Sequence, residues 1–321
     1  MITRFLTLLL ICLTGAGCSI YSRPEHPRPA TKLSKEVLSY FAYTQDEELP
    51  TLGEIEDQGA YWTRTVTFPA RPGEAGGEPA KAIEYLPKPM GAVPRPAVVV
   101  MPILGGSYGI SRYLAEYIAA RGYACLRFLR PGKLLDRQLG LEYSLAMYCR
   151  AIIDVRRGLD WWENQDGVDA TRLGIVGISQ GGILGAATMG VEPRLRSGVF
   201  LLAGGGIPEL IVESEEPSVV RFRNTLMARE GWSLERLADE AEQLIGPVDV
   251  TDLAAAIETE RVFMIHGRYD RSILPKHGDA LWRALGKPDR IVFPFGHYSS
   301  ILLLPWAAAF TVDHLDYTLR R

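Results

Sequence analysis

Three side chains that together could attack a carbonyl group stand at Ser179, Asp270 and His297. Ser179 lies in Gly-Ile-Ser-Gln-Gly (177–181), between an apolar run that predicts a buried strand and a small, apolar stretch that predicts a helix. A serine hydroxyl is a weak nucleophile at neutral pH, and it needs a base, usually histidine, that a carboxylate holds in the correct tautomer. The three residues therefore predict attack by Ser179, proton transfer through His297 and orientation of His297 by Asp270.

The residues around these three predict where their side chains would lie. A sharp turn from strand to helix leaves no room for a Cβ beside the serine, because neighbouring backbone comes close there, and glycine satisfies this requirement. Apolar runs at 261–265 and 290–293 predict two further strands, and Asp270 and His297 stand in the loops that follow them. All three side chains are therefore predicted at strand ends.

Four other histidines compete with His297 for the role of base. His266 also follows a predicted strand, at a position where resemblance to a known family implies a structural turn residue. His277 begins a predicted helix and is expected in solvent, whereas His314 is expected on the surface of a C-terminal helix. His26 lies in a proline-rich segment near the N-terminus. His297 is therefore the preferred base.

The elements that would position these residues alternate between strand and helix. Residues 97–101 and 199–202 are apolar without alternation, as in strands buried on both faces of a mostly parallel sheet. A long helix is predicted over 141–164, where apolar residues recur at helical spacing. Before them, 61–68 and 80–86 predict a pair of strands. The pattern predicts an α/β fold, with a mostly parallel central sheet and helices on both faces.

Residues 205–258 interrupt this alternation. They carry two amphipathic helical patterns, over about 217–229 and 233–245, and Ser233 is the expected N-cap of the second. An insertion between core strands would lie over the carboxyl ends of those strands. We therefore predict a helical cap insertion that shapes the substrate pocket.

The N-terminal residues 1–18 predict a signal peptide. A positive charge is followed by an apolar stretch (5–14) too short to span a bilayer, and small residues precede Cys18. This end resembles the lipobox of bacterial lipoproteins, although Gly15 stands where leucine is usual. The resemblance implies a lipid on Cys18 and an extracytoplasmic protein anchored in the cell envelope, at the outer membrane where one exists, because Ser19 follows the cysteine. A secreted or periplasmic protein with a plain signal peptide is the alternative.

Residues 19–35 contain three prolines among polar neighbours and are predicted as a tether. The folded domain is accordingly expected over 36–321. Within it, Cys125 falls in a predicted strand and Cys149 on a predicted helix. In an oxidising compartment these residues allow either a disulfide or two buried free thiols.

Composition excludes several classes of partner. The formal net charge of −3 and the lack of a Lys/Arg-rich run give no reason to expect nucleic acid as a partner. The chain has no CxxC pair and no His/Cys cluster with zinc spacing, so neither a metal nor a cofactor is expected. A hydrophobic content of 47% and a charged content of 23% are ordinary for a globular protein with a full core.

From about residue 61 to 320 the chain resembles the α/β-hydrolases, nearest to the dienelactone-hydrolase, acetyl-xylan-esterase and prolyl-oligopeptidase-like branches. The resemblance is carried by the Gly-x-Ser-x-Gly turn, by the order Ser179, Asp270, His297, by Asp-Val-Arg-Arg-Gly-Leu-Asp-Trp (154–161), and by His-Gly-x-x-Asp (266–270). It implies the α/β-hydrolase fold and a serine hydrolase acting on carboxylic esters.

The resemblance also implies an oxyanion hole made of backbone N–H groups. One donor would be Gln180, the residue after the nucleophile, and the second would lie in the loop after the first core strand. Alignment on Gly-Gly-Ser gives Leu104 this position, with Gly105 as the alternative donor. The chain departs from the family here, because Pro102-Ile103 stands where His-Gly is usual.

Two alternatives to an esterase remain at this point. A peptidase or amidase of the prolyl-oligopeptidase-like type would use the same residues on an amide substrate. A non-catalytic envelope protein would use the fold for binding alone. The expected partner is a small-molecule or polymer-borne ester substrate, and the N-terminal lipid anchor would hold the protein at a membrane; the oligomeric state stays open.

Overall fold

A computed structural model describes residues 20–22, 28–71, 73, 75, 77–89, 93–103, 109–130 and 132–320. The predicted signal peptide and Cys18 lie outside the described residues, as does His26. Within the described part of the chain, no helix is both long and apolar enough to cross a membrane.

The centre of the molecule is one twisted sheet. Within the described residues its strands are β1 (Ile20–Ser22), β2 (Thr51–Leu52), β3 (Glu56–Asp57), β4 (Tyr61–Thr67), β5 (Lys81–Pro87), β6 (Arg95–Val100), β7 (Ala124–Phe128), β8 (Val168–Ile178), β9 (Leu195–Leu201), β10 (Val262–Gly267) and β11 (Asp289–Phe293). Their order in space is β1-β11-β10-β9-β8-β6-β7-β5-β4-β2, with β3 beside β4.

The strand directions confirm a mostly parallel core. The run from β11 to β7 is parallel throughout, whereas β5, β4, β3 and β2 are antiparallel to their neighbours, and so is β1 at the opposite edge. Because the carboxyl ends of parallel strands meet at one edge of a sheet, the loops after β8, β10 and β11 are brought together.

Helices cover both faces of the sheet. In the described chain they are α1 (Lys35–Ser39), α2 (Gly109–Ala119), α3 (Gly140–Trp162), α4 (Gln180–Val191), α5 (Ile207–Glu213), α6 (Pro217–Glu230), α7 (Leu234–Ile245), α8 (Val250–Ala254), α9 (Pro275–Ala284) and α10 (Leu304–Leu319). Short 3-10 turns lie at Gly246–Val248, Thr259–Arg261 and Ser299–Leu303. Helices α2 and α10 pack on one face of the sheet, and α3, α4, α8 and α9 pack on the other.

Strand β6 shows why the central strands carry no polar alternation. Val98 and Val100 belong to the core on the α2 side, whereas Ala97 and Val99 belong to the core on the α3 side. Successive side chains of a strand point to opposite faces, so a strand covered by helices on both faces must be apolar at every position. The predicted α/β sandwich is confirmed.

The segment 205–258 forms helices α5 to α8. The Ser233 hydroxyl accepts the N–H of Arg236, which confirms Ser233 as the N-cap of α7. Helices α5 to α7 share a small apolar core with the start of α3, made of Leu141, Ile211, Phe222, Leu226, Leu237, Ala241 and Ile245. The short helices α5 and α8 were not expected from the sequence.

The described parts of the predicted tether lie against the domain. Strand β1 pairs with β11, and the Tyr21 hydroxyl donates to Asp289 at 3.0 Å. Thr31 is bonded to the carbonyl of Ala255 through both its N–H and its hydroxyl. This part of 19–35 is therefore attached to the domain rather than extended away from it.

Cys125 and Cys149 are both free thiols in the structure, so the disulfide alternative is not realised. Cys125 is fully buried in β7, and Cys149 is half-buried on α3. Burial raises the pKa of the Cys149 thiol to about 12, and burial also raises the pKa of Cys125 well above its usual range. Both thiols are therefore protonated and unreactive at neutral pH.

Candidate active site

Ser179 lies at a sharp turn between β8 and α4, with φ 56° and ψ −127°. This conformation is rare for a residue with a side chain, and it persists only where the surroundings enforce it. A Cβ on Gly177 would approach the carbonyl oxygen of Gly181 to 2.1 Å, and one on Gly181 would approach that of Pro102 to 2.7 Å. Only glycine fits at either position, and the turn presents Ser179 beyond the carboxyl end of β8.

The structure brings Ser179, His297 and Asp270 together. The Ser179 hydroxyl is 2.9 Å from Nε2 of His297, and Nδ1 of His297 is 2.7 Å from Oδ2 of Asp270. A carboxylate only accepts hydrogen bonds, so the Nδ1–H of His297 donates to Asp270 and leaves Nε2 to accept the serine proton. The chain of hydrogen bonds therefore has the polarity that attack by Ser179 requires.

Burial and main-chain contacts hold this arrangement in place. The side chain of Asp270 is 3% exposed and that of His297 12% exposed. Oδ1 of Asp270 accepts the N–H groups of Ser272 and Ile273 at 2.9 and 2.8 Å, which orients Oδ2 toward the imidazole. The carboxylate is thus fixed before any substrate arrives.

The predicted oxyanion donors are described only in part. Gln180 is the first residue of α4, where the N–H groups have no acceptor within the helix and face outward from its N-terminus. Leu104 and the alternative donor Gly105 lie outside the described residues, which stop at Ile103 on this side. The role of Leu104 stays a prediction.

The structure places two other histidines differently from what the sequence indicated. His277 is not in solvent: it is 4% exposed, its Nδ1 lies 3.1 Å from the carbonyl of Gly205, and its Nε2 lies 2.9 Å from Glu213. His314 is only partly exposed: its ring stacks on Phe263, and burial lowers its pKa. The prediction for His277 was wrong and that for His314 holds only in part, because neighbouring segments cover these positions.

His266 fills a structural position in β10, as the sequence indicated. It is 7% exposed, and burial lowers its pKa to about 4, so the ring is neutral at physiological pH. Within the described residues its Nε2 has no hydrogen-bond partner.

Two apolar cavities open on either side of Ser179. We call the first the insertion cavity: it measures about 110 Å³, reaches Ser179 and Gln180, and is lined mainly by aliphatic side chains of α3 to α7, among them Leu145, Ile183, Leu210, Ile211, Val219 and Ile245. We call the second the histidine cavity: it measures about 150 Å³, reaches Ser179 and His297, and is lined by aliphatic side chains that include Ile110, Ile178, Ile301, Leu303 and Leu304.

Glu216 connects the insertion to the loop that carries His297, and no sequence motif marked it. Its Oε2 accepts the hydroxyl of Tyr298 at 2.6 Å and that of Ser272 at 3.0 Å. Among the described residues, Ser179 and Glu216 line both cavities. Partial burial and the bond to Glu216 raise the pKa of Tyr298 to about 12, so the phenol keeps its proton at neutral pH. The position of Tyr298 beside His297 was the only signal that could have found this contact.

The described residues contain no group of three or more His, Cys, Asp or Glu side chains that could hold a metal ion. The residues that meet at the strand ends are a serine, a histidine and an aspartate joined by hydrogen bonds.

Comparison with known proteins gives structural likeness at low sequence identity. No protein-family model matches the chain, and no curated protein matches it significantly. An acetyl xylan esterase from Paenibacillus sp. R4 matches with a TM-score of 0.62 and 17% identity, over 86% of this chain and 99% of that one. Acetyl xylan esterase 1 from Thermoanaerobacterium sp. JW/SL YS485 matches with a TM-score of 0.62 and 19% identity, over 85% and 91%.

A candidate dipeptidyl aminopeptidase IV from Bacteroides ovatus is also similar, with a TM-score of 0.59 and 17% identity, over 84% of this chain and 36% of that one. At such identities the likeness establishes the fold, and the chain has the α/β-hydrolase fold that the sequence predicted.

Proposed function

We propose that the protein is a serine hydrolase that cleaves carboxylic esters through an acyl-enzyme intermediate. The observation that carries this proposal is the hydrogen-bonded chain from Ser179 through His297 to Asp270, with distances of 2.9 and 2.7 Å. Esterases among the structural neighbours support an ester as the substrate. This chemistry needs no cofactor.

In the acylation step, Oγ of Ser179 attacks the ester carbonyl carbon while Nε2 of His297 takes the hydroxyl proton. The carbonyl oxygen becomes an oxyanion, which the N–H of Gln180 and, in our prediction, that of Leu104 would stabilise. The carbon–oxygen bond to the alcohol then breaks, and His297 returns its proton to the departing alcohol oxygen.

In the deacylation step, water attacks the acyl group on Ser179 and gives a proton to Nε2 of His297. The second tetrahedral intermediate collapses, the carboxylic acid leaves, and His297 returns the proton to Oγ of Ser179. Asp270 stabilises the imidazolium that forms transiently in both steps.

The test is labelling of the purified protein with a fluorophosphonate probe, beside turnover of p-nitrophenyl esters. We expect Ser179→Ala to lose the label and to lower kcat by about 10⁴- to 10⁶-fold, because the nucleophile is removed. Ser39→Ala, a change at an exposed serine on α1, is the matched control and keeps both signals. A folded wild type that neither labels nor hydrolyses any ester would favour a binding role on the same fold.

An amide substrate is the second candidate, because the Bacteroides ovatus protein shares the fold. Turnover of an ester and an anilide with the same acyl group distinguishes the two. An esterase hydrolyses the ester and leaves the anilide nearly untouched, whereas a peptidase also hydrolyses the anilide at a readily measured rate, though more slowly than the ester.

We also propose that the protein is anchored in the cell envelope through a lipid on Cys18. The sequence of residues 1–18 supports this location. Metabolic labelling with tagged palmitate tests it in bacteria that express the full chain. We expect the label on the wild type and in the membrane fraction, and its loss in Cys18→Ala; an unlabelled wild type in the soluble fraction would indicate a plain secretory signal.

A further inference from the structure

The two cavities beside Ser179 differ in one respect that decides how an ester must lie. Both reach Ser179, but His297 lines the histidine cavity and does not line the insertion cavity. The histidine is the group that returns a proton to the departing alcohol oxygen. The alcohol must therefore lie on the side of His297.

The acyl chain then takes the other direction from Ser179. In the proposed mechanism the carbonyl oxygen would accept the N–H of Gln180, at the N-terminus of α4, and Ile183 follows one turn later on the same helix. Ile183 and Gln180 both line the insertion cavity. A chain attached to the carbonyl carbon therefore leads into this cavity.

The insertion cavity is partly open to solvent, and its volume indicates how long an acyl chain it can enclose. An apolar cavity of about 150 Å³ holds a six-carbon ring such as benzene. The insertion cavity measures about 110 Å³, so it accommodates an aliphatic chain of about four to six carbon atoms. An acetyl group would leave most of it unfilled.

The polar side chains in the wall of the insertion cavity are already paired. The hydroxyls of Ser144, Tyr148 and Ser214 donate to the carbonyls of Gly140, Val248 and Ser272 at 2.9, 3.2 and 2.6 Å. The exception is Gln180, whose buried Oε1 has no partner among the described residues and lies next to the reacting serine. The wall therefore favours an apolar chain over a sugar or a polar acyl group.

The histidine cavity is also mainly apolar but has more polar surface than the insertion cavity, and Glu216 adds a charge at the boundary between the two. Ile301 and Tyr298 at its rim are 52% and 65% exposed, so the alcohol side is open to solvent. The Glu216 carboxylate, held by Tyr298 and Ser272, would repel a negatively charged substrate.

From these observations we infer that the substrates are neutral esters of aliphatic acids of about four to six carbons, with the acyl chain in the insertion cavity and an apolar alcohol in the histidine cavity. This substrate class rests on the proposed serine hydrolase function. It differs from the substrate in the names of the acetyl xylan esterases that share the fold.

Two series of esters test this assignment on the full-length protein. In p-nitrophenyl esters from acetate to dodecanoate only the acyl chain changes, and we expect kcat/KM to rise by about fourfold per methylene up to butyrate or hexanoate and then to level off or fall. In butyrate esters from methyl to hexyl only the alcohol changes, and the hexyl ester is expected to be the better substrate. Acetate as the best acyl group would overturn the assignment.

Variants of the two walls separate the two cavities. Ile183→Phe narrows the insertion cavity, and we expect it to lower the hexanoate-to-acetate ratio of kcat/KM by at least about tenfold while leaving the hexyl-to-methyl ratio as in wild type. Ile301→Ser, in the wall of the histidine cavity, should lower the hexyl-to-methyl ratio and leave the hexanoate-to-acetate ratio as in wild type. Val219→Phe narrows the same cavity from the half-exposed helix α6, in case Ile183→Phe misfolds. Leu234→Phe, at an exposed position of α7, is the matched control.

The outcomes distinguish this inference from the proposed function. Fluorophosphonate labelling of each variant reports whether Ser179 is reactive and the protein folded. A labelled protein whose acyl preference does not respond to Ile183→Phe or Val219→Phe contradicts the assignment of the cavities and leaves the serine hydrolase intact. A folded but unlabelled wild type contradicts the proposed function itself.

Discussion

Different contacts hold the two sides of the site around Ser179. The sheet side consists of the strand ends with their loops, and the insertion side consists of helices α5 to α8. On the sheet side the main chain itself fixes the site: the N–H of Ser179 donates to the carbonyl of Leu201 at 2.8 Å, and Asp270 accepts two main-chain N–H groups. On the insertion side, long side chains add to a few main-chain bonds, which run from the N–H of Gly205 to the carbonyl of His277 and from that of Glu215 to Arg271. Glu213 pairs with Lys276 and His277, and Arg229 donates to the carbonyls of residues 137 and 138.

This difference suggests separate roles for the two sides of the site. A position fixed by main-chain contacts and by glycines tolerates little change, because any added atom meets backbone that cannot move away. A helix attached through side chains can shift or be repacked without moving the strand ends. The sheet side would therefore determine the chemistry, and the insertion would determine which acyl chains enter.

The largest expected effect comes from comparing an aspartate on each side. Asp270→Asn is expected to lower kcat by about 10⁴-fold without unfolding the protein, because the amide favours the wrong tautomer of His297. Asp249, which is 6% exposed, accepts the N–H groups of Gly206, Ile207 and Thr251 at the base of the insertion. Asp249→Asn leaves one of these N–H groups without an acceptor, so it should cost about 1–2 kcal/mol of unfolding free energy and change kcat by less than about tenfold. Ester turnover and urea unfolding measure both, and equal losses of kcat would contradict the comparison.

A pair of glycines gives a smaller effect. The Cβ of Gly181→Ala would lie 2.7 Å from the carbonyl oxygen of Pro102, so we expect a loss of about 1–3 kcal/mol in unfolding free energy and slower labelling of Ser179. Gly231, at the end of α6, has φ +67° and open space around it. Gly231→Ala should cost only about 1 kcal/mol of backbone strain and leave labelling unchanged. If Gly231→Ala slowed labelling as much as Gly181→Ala, the insertion would be as tightly coupled to Ser179 as the sheet is.

The smallest expected effect is a pH dependence of the unfolding free energy, caused by His266 in β10 on the sheet side. His266 has a pKa of about 4 in the folded protein and 6.5 as its ordinary value. Between these values the unfolded chain binds a proton that the folded protein excludes, so stability is complete above pH 6.5 and falls as the pH drops toward 4. From pH 7 to pH 4.5 the wild type should lose about 2 kcal/mol more unfolding free energy than His266→Gln, measured by urea unfolding at both pH values. Identical losses in the two proteins would exclude His266 as the source.

The sheet side was also the part of the molecule that could be predicted from the sequence. Ser179, Asp270 and His297 each stand just after an apolar run, and runs of this kind predict strands, so their order along the chain was enough to expect them at one edge. The structure brings these three side chains within hydrogen-bonding distance, while their catalytic roles stay predictions. The parallel sheet followed in the same way from apolar runs without alternation.

The contacts of the insertion side could not be predicted in this way. Glu216 and Tyr298 are 82 residues apart, and their contact depends on how α6 lies over the His297 loop, which no local pattern encodes. His277 looked exposed because it begins a helix, yet α5 covers it with Glu213. Helix α5 itself has only seven residues, too few to show a periodic pattern.

Strand β1 has a consequence for the way the chain assembles. Tyr21 and Asp289, which it joins, are 268 residues apart, so β11 stays uncovered until both ends of the polypeptide have been made and have met. An uncovered edge offers unpaired N–H and C=O groups to any other extended chain. Strand β1 thus protects β11 from edge-to-edge association. A chain shortened past residue 22 would expose the β11 edge, beside the loop that carries His297, to pairing with other chains.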